Sequence, residues 1–115
     1  MDIAYRQKIE ETIVSQLIKD ALDFGYTLGV HNGNERVISN SNDSKKILEE
    51  MFTVDEEHLI FYMEGKLVGA VFLVYGNCGY DVICDYSVKL EHIMDNVDKL
   101  FDKYENEVYW AELAS

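Results

Sequence analysis

At 115 residues, with 48% hydrophobic and 12% aromatic side chains, the chain has the size and composition of one folded domain spanning residues 1–115, not of a disordered polymer. Ten basic against 22 acidic residues, a formal net charge of −12, exclude direct nucleic-acid binding, which needs clustered Lys and Arg to replace phosphate counterions. The longest apolar run, Leu67 to Tyr75, contains Gly69 and falls short of the roughly 18–20 residues of a membrane span. The start, with Asp2, Glu10 and Glu11, has no basic-then-apolar leader, so the expectation is a cytoplasmic protein without membrane contact.

Residues 3–24 predict a helix, since Ile9, Ile13, Val14, Leu17, Ile18, Ala21 and Leu22 recur at three- and four-residue steps and Gly25 stands where a left-handed cap would end it. Tyr26, Leu28 and Val30 then alternate up to Asn32-Gly33, a hairpin-turn dipeptide, and a return strand follows over Arg36 to Ser39. Asn42 or Asp43 is placed to cap a short helix running to about Phe52, with Ile47, Leu48 and Met51 inward. Asp55-Glu56-Glu57 reads as a charged turn. Beyond it, Leu59 to Met63 and Leu67 to Tyr75 are two β-rich runs joined by Glu64-Gly65-Lys66, a second hairpin.

Gly76-Asn77-Cys78-Gly79 reads as a turn and Val82 to Tyr86 as a fifth strand or extended segment. Residues 89–105 predict an amphipathic helix on the spacing of Leu90, Ile93, Met94, Val97, Leu100, Phe101 and Tyr104. The tail from Tyr109-Trp110 to Ser115 either packs as an aromatic anchor or frays. The order α-β-β-α-β-β-(β)-α, with connections too short for parallel crossovers, gives an α+β class: a two-layer domain with an antiparallel sheet of four or five strands and three helices on one side.

Most chemistries lack their residues. Cys78 and Cys84 are expected as reduced thiols, and their spacing, without a second close Cys or His pair, makes no zinc site. His31, His58 and His92 are scattered singly. No phosphate-binding glycine loop is present, so no cofactor and no metal are expected. Asp81 and Asp85, four apart in a strand, would share a face as an acid/base or metal pair, but no third ligand or nucleophile stands with them. The chain is therefore read as no enzyme.

The last predicted helix carries a second periodicity. Glu91, Asp95, Asp98, Asp102 and Glu105 fall within a stripe roughly 80° wide at about 100° per residue, spread over about 21 Å of helix. One carboxylate per ~5 Å is of the same order as the ~3.4 Å between phosphates of a DNA strand. Such a row can imitate a nucleic-acid backbone to a protein whose groove is basic, and Asp55, Glu56 and Glu57 add a second acidic patch. The bland alternative is that the solvent face of any helix in so acidic a protein is acidic.

The stretch Gly25-Tyr26-Thr27-Leu28 through Ile47-Leu48-Glu49, with Tyr75-Gly76-Asn77 to Asp85-Tyr86-Ser87, resembles a family of small acidic proteins encoded by phages and prophages. The likeness covers roughly residues 17–101, and its most specific piece is Tyr-Gly-Asn-x-Gly-Tyr-Asp-x-Ile-x-Asp-Tyr at 75–86. That pattern usually has other residues at the places of Cys78 and Cys84, and it brings no catalytic residues to carry over. The resemblance implies a phage context, where small acidic proteins disable host CRISPR or restriction complexes. The expectation is then an inhibitor that binds a basic host protein through Glu91, Asp95, Asp98, Asp102, Glu105 and the 55–57 patch. The alternative is an interaction module without mimicry, such as a homodimer joined through Tyr109, Trp110 or an open sheet edge.

Overall fold

The computed structural model describes residues 2–33 and 35–114. Helix α1 (Ile3–Phe24) starts on Asp2, whose side chain accepts from the Ala4 N–H, and ends at Gly25. The first hairpin is β1 (Thr27–His31) and β2 (Arg36–Ser41). Helix α2 (Ser44–Glu49) follows, capped by Asp43, and then the second hairpin, β3 (Glu56–Met63) and β4 (Lys66–Val74). Glu64 and Gly65, with φ of 52° and 78°, form its two-residue turn, whose twist matches that of the flanking strands. Strand β5 (Ile83–Tyr86), a 3-10 helix (Val88–Ile93) and α3 (Asp95–Ala114) complete the chain.

The five strands form one antiparallel sheet in the order β2-β1-β3-β4-β5, so the class expected from the sequence is the class observed. Register puts Leu28 opposite Phe61, Val30 opposite Leu59 and Leu59 opposite Val71. All of these are fully buried, as is Leu73. The alternate residues Ile60, Tyr62, Ala70 and Phe72 are half-buried and His58 is exposed, as strand alternation requires. Helix α1 adds Ile9, Ile13, Val14, Leu17, Ile18 and Ala21 to the same core. Helix α3 runs antiparallel to α1: Tyr5 Oη donates to Glu107 Oε2 at 2.9 Å near one end, and Asn96 Nδ2 to Asp20 Oδ2 at 3.1 Å near the other.

Several boundaries depart from expectation, among them the end of β2, at Ser41 rather than Ser39. The helix predicted over 89–105 is two elements, because Leu90 N–H bonds Ser87 O and Met94 N–H bonds Glu91 O in 3-10 fashion before Asp98 N–H to Met94 O opens the α ladder. Apolar residues three apart, Leu90 and Ile93, fit three residues per turn as well as 3.6. Helix α2 stops at Glu49, well before Phe52, whose φ of 68° no helix accommodates. Strand β3 begins at Glu56 rather than Leu59, since Glu57 continues the inward alternation of Leu59 and Phe61. The tail expected to anchor or fray continues α3 through Ala114, and Ser115 lies outside the described residues.

Segment 75–82 is pinned to α1. Gly76 N–H donates to Glu10 Oε2 at 2.9 Å, Cys78 N–H to Asp81 Oδ1 at 3.1 Å, and Val82 is fully buried. A Cβ on Gly79 would lie 3.1 Å from Arg6 O and 3.2 Å from Ile9 Cβ, at a φ of +88°. Gly79→Ala is expected to lower stability by about 1–3 kcal/mol. Gly65→Asn, at φ +78° with open space around it, should change stability by less than about 1 kcal/mol. Urea unfolding of both variants measures the difference.

Candidate functional site

Asp95, Asp98, Asp102 and Glu105 are all exposed on α3 and keep the angular relation that the spacing predicts. Glu91 is exposed too, but it belongs to the preceding 3-10 helix, so the regular row holds four carboxylates over ~15 Å instead of five. Asp95 and Asp98 lie in the first turn of α3, where the helix dipole favours negative charge, so their position has a local structural reason. Asp102 and Glu105 lie further along. Among the described residues the salt bridges are Arg6–Glu10 and Lys19–Asp23, and neither involves this row.

The same face changes character toward the C-terminus. Tyr109 falls in the middle of the carboxylate stripe at about 100° per residue, and Leu113 lies about 40° from it. They are 57% and 59% exposed, with Trp110 beside them at 60%, values that leave three large apolar side chains in solvent on one helix end. Tyr80, whose ring packs edge-on against Phe101, joins Asp102, Glu105 and Tyr109 around a shallow depression of about 570 Å³. Charge row and aromatic end were both legible in the sequence. Their sharing one face required only carrying the helix past residue 105.

The second acidic patch divides. Asp55 and Glu56 are exposed, whereas Glu57 is fully buried on the inner face of β3 and presents nothing to a partner. Its Oε1 accepts from the Phe52 N–H, and that bond holds the positive-φ residue in place. Tyr75 stands close enough to interact with the Glu57 carboxylate, yet Tyr75 Oη and Glu57 Oε2 are both buried and, among the described residues, meet no partner in hydrogen-bond geometry. Burial pushes the Glu57 carboxyl above its ordinary value, against the pull of the Phe52 N–H and the Tyr75 hydroxyl. Burial and the nearby Glu57 charge push the Tyr75 phenol far up in turn.

Beside this pair the fold opens a cleft of about 350 Å³ between the first turns of α1, the 52–55 segment and Tyr75-Gly76. Arg6, Glu10, Glu11, Phe52, Asp55 and Tyr75 line it. Glu10 is only 3% exposed; burial raises its pKa, while the Gly76 N–H and Arg6 act to lower it. Arg6 Nε lies 3.7 Å from Glu10 Oε1, an ion pair too long for a hydrogen bond, and among the described residues the buried Nε has no hydrogen-bond partner. This cleft was not found from the sequence. Its signal was present: Glu10 sits three and four residues before Ile13 and Val14, on the apolar face of α1.

The remaining candidates separate. Asp81 lies in the turn before β5, bonded to the Cys78 N–H, and Asp85 is exposed on β5, so the two do not form the same-strand pair considered for catalysis. Cys78 and Cys84 are free thiols, the first half-buried and the second exposed. His31 and His58 pair across β1 and β3, His58 stacking on Phe72, and His92 packs against Phe24 and Tyr26. Among the described residues no helix is long and apolar enough to cross a membrane, and no group of three or more His, Cys, Asp or Glu is placed to hold a metal ion.

Glu57 has a raised folded pKa, so between the ordinary glutamate value of 4.5 and that raised value the folded state binds more protons than the unfolded state. Its contribution therefore falls as pH rises through this window: the penalty is absent below 4.5 and complete above the folded pKa. Glu57→Gln keeps an acceptor for the Phe52 N–H and removes the buried charge. It is expected to stabilise the protein at pH 8 by about 1–3 kcal/mol and to differ little from the parent near pH 4. Urea midpoints of both proteins across that range check the sign.

No protein-family model matches the chain, and neither a curated protein nor a solved structure matches it.

Proposed function

We propose that the chain is a protein-binding inhibitor whose α3 face docks on the basic, nucleic-acid-binding surface of a host defence protein in the host cytoplasm. The CRISPR or restriction type is the reading that the resemblance at 75–86 favours. The observation that carries the proposal is the exposed row Asp95, Asp98, Asp102 and Glu105, free of salt bridges among the described residues. Carboxylates held on a rigid helix lose little freedom on meeting Lys and Arg, and their field accelerates encounter. No step of this action needs a cofactor or a catalytic group.

A second reading, an interaction module that recognises its partner without imitating nucleic acid, draws on Tyr109, Trp110 and Leu113. Exposed aromatics are enriched where protein interfaces carry their binding energy, whereas a phosphate mimic has no need of them. A homodimer through this end is one form of it.

Host extract passed over the immobilised protein and eluted with a salt gradient tests both. Under the inhibitor reading a nucleic-acid-binding complex elutes at moderate salt and is displaced by DNA or RNA. Asp102→Asn with Glu105→Gln then weakens its retention by at least about tenfold, and Tyr109→Ala has the smaller effect. A partner that resists salt and is lost with Tyr109→Ala and Trp110→Ala, or self-association alone, replaces mimicry with the second reading. Asp102 and Glu105 are preferred to Asp95 and Asp98 because the latter also support the start of α3.

A further inference from the structure

We propose that the outer face of the sheet docks a second copy of this chain, the two sheets packing face to face about a twofold axis parallel to the strands. All three helices feed the core, which takes its sheet residues from the inner positions, and Ile60, Tyr62, Ala70 and Phe72 are not among them. These four alternate with the buried residues of β3 and β4, so they stand on the face turned away from the helices. Leu67, opposite Tyr62, is 69% exposed beside them. An antiparallel sheet with one face in water is ordinarily polar on that face. Here, between Glu56 and the turn at Glu64, the outer positions of β1, β3 and β4 carry no carboxylate, in a chain with 22 acidic residues.

Charge selects the occupant. Register runs one outer row across all five strands: Arg36, His31, His58, Phe72 and Asp85. The row starts with a cation on one edge of the sheet and ends with an anion on the other, and among the described residues neither forms a salt bridge within the chain. Asp85 Oδ1 accepts the neighbouring Tyr86 N–H and the side chain is exposed. Turned about an axis above His58, on the middle strand, the row is complementary to itself: Arg36 comes over Asp85 of the second copy and His31 over its Phe72, each twice. In the next row Gly29 and Ala70 flank Ile60, small residues that let the sheets close to about 10 Å, a gap that an arginine and an aspartate on facing rims span. Two chains of net charge −12 repel, and a face without carboxylates at its centre is where they approach at least cost. A face of about 24 Å by 17 Å removes on the order of 1,000 Å² from water over the two copies, the lower bound of a specific interface. Glu56, on the middle strand, meets its own copy and keeps the dimer weak. The contact leaves the α3 face open and is independent of how that face is used.

The test is sedimentation equilibrium of the full chain from about 1 μM to about 1 mM, with circular dichroism of every variant to check its fold. A monomer–dimer equilibrium with a dissociation constant of about 10–100 μM is expected. Arg36→Glu and Asp85→Arg, both at exposed positions, should each weaken it at least about fivefold, the second although it lowers the net negative charge, and the two together should restore it to within about twofold. His58→Glu, which sets two carboxylates against each other on the axis, should leave only monomer, and Glu56→Gln should tighten the dimer. Tyr109→Ala with Trp110→Ala should leave the constant unchanged, so that self-association through the end of α3 and through the sheet are told apart. A monomer throughout the range overturns the second copy as occupant. A dimer that the Tyr109 and Trp110 changes abolish, or charge reversals that the double variant does not rescue, overturn the proposed contact.

Discussion

The carboxylate of Glu10 is the joint on which the surface of this protein depends. It lies on the apolar face of α1, nearly out of solvent, and holds segment 75–82 against the helix by accepting the Gly76 N–H. Everything further along that segment inherits its position: Gly79 seated on Ile9 and Arg6, Val82 in the core, Tyr80 against Phe101. A neutral apolar residue at position 10 would pack as well against the helix neighbours, but it would leave the Gly76 N–H without its acceptor. The fold retains a costly charge there because the backbone of a turn must be satisfied by something, and the helix supplies it.

Glu57 repeats the arrangement one layer away. It too is an acid on a buried face, and it too accepts from the backbone of a residue with positive φ, here Phe52. Two buried carboxylates, a bulky residue at φ 68°, an ion pair too long to hydrogen-bond and two buried oxygens without partners are gathered at one end of the molecule. The core built on Leu28, Leu59, Phe61 and Val71 shows none of these features. Positive φ at a non-glycine residue also occurs at Asn40 and at Glu64, so what sets this end apart is the burial of two carboxylates, each accepting a backbone N–H.

Most of the fold was legible because each element carries its own signal. Helix α1 declares itself by seven apolar residues at helical spacing and a glycine cap, and the β3–β4 hairpin by two apolar runs around Glu64-Gly65. The limits of legibility were set by residues whose partner is distant in sequence. Glu57 looked like one of three turn acids, and only pairing with β4 and contact with Phe52 make it an inner strand residue. Leu90 and Ile93, three apart, fit an α-helix and a 3-10 helix alike, so the break ahead of α3 was invisible, and with it the separation of Glu91 from the other carboxylates. The cleft needed Arg6, Asp55 and Tyr75 to meet, three residues that no sequence window contains.

Charge alone does not distinguish a binding face from a merely soluble one in a chain of net charge −12. On α3 the carboxylates share their face with large exposed aromatic and aliphatic side chains. Tyr109 and Leu113 stand exposed in line with Asp102 and Glu105, and under the proposed reading that apolar area is what a partner would cover. A pure backbone mimic has no reason for them. If α3 is the docking face, its carboxylates would supply long-range attraction and Tyr109 and Leu113, beside Glu112, short-range burial, the combination in which electrostatics sets the rate of encounter and a few buried aromatics set how long it lasts.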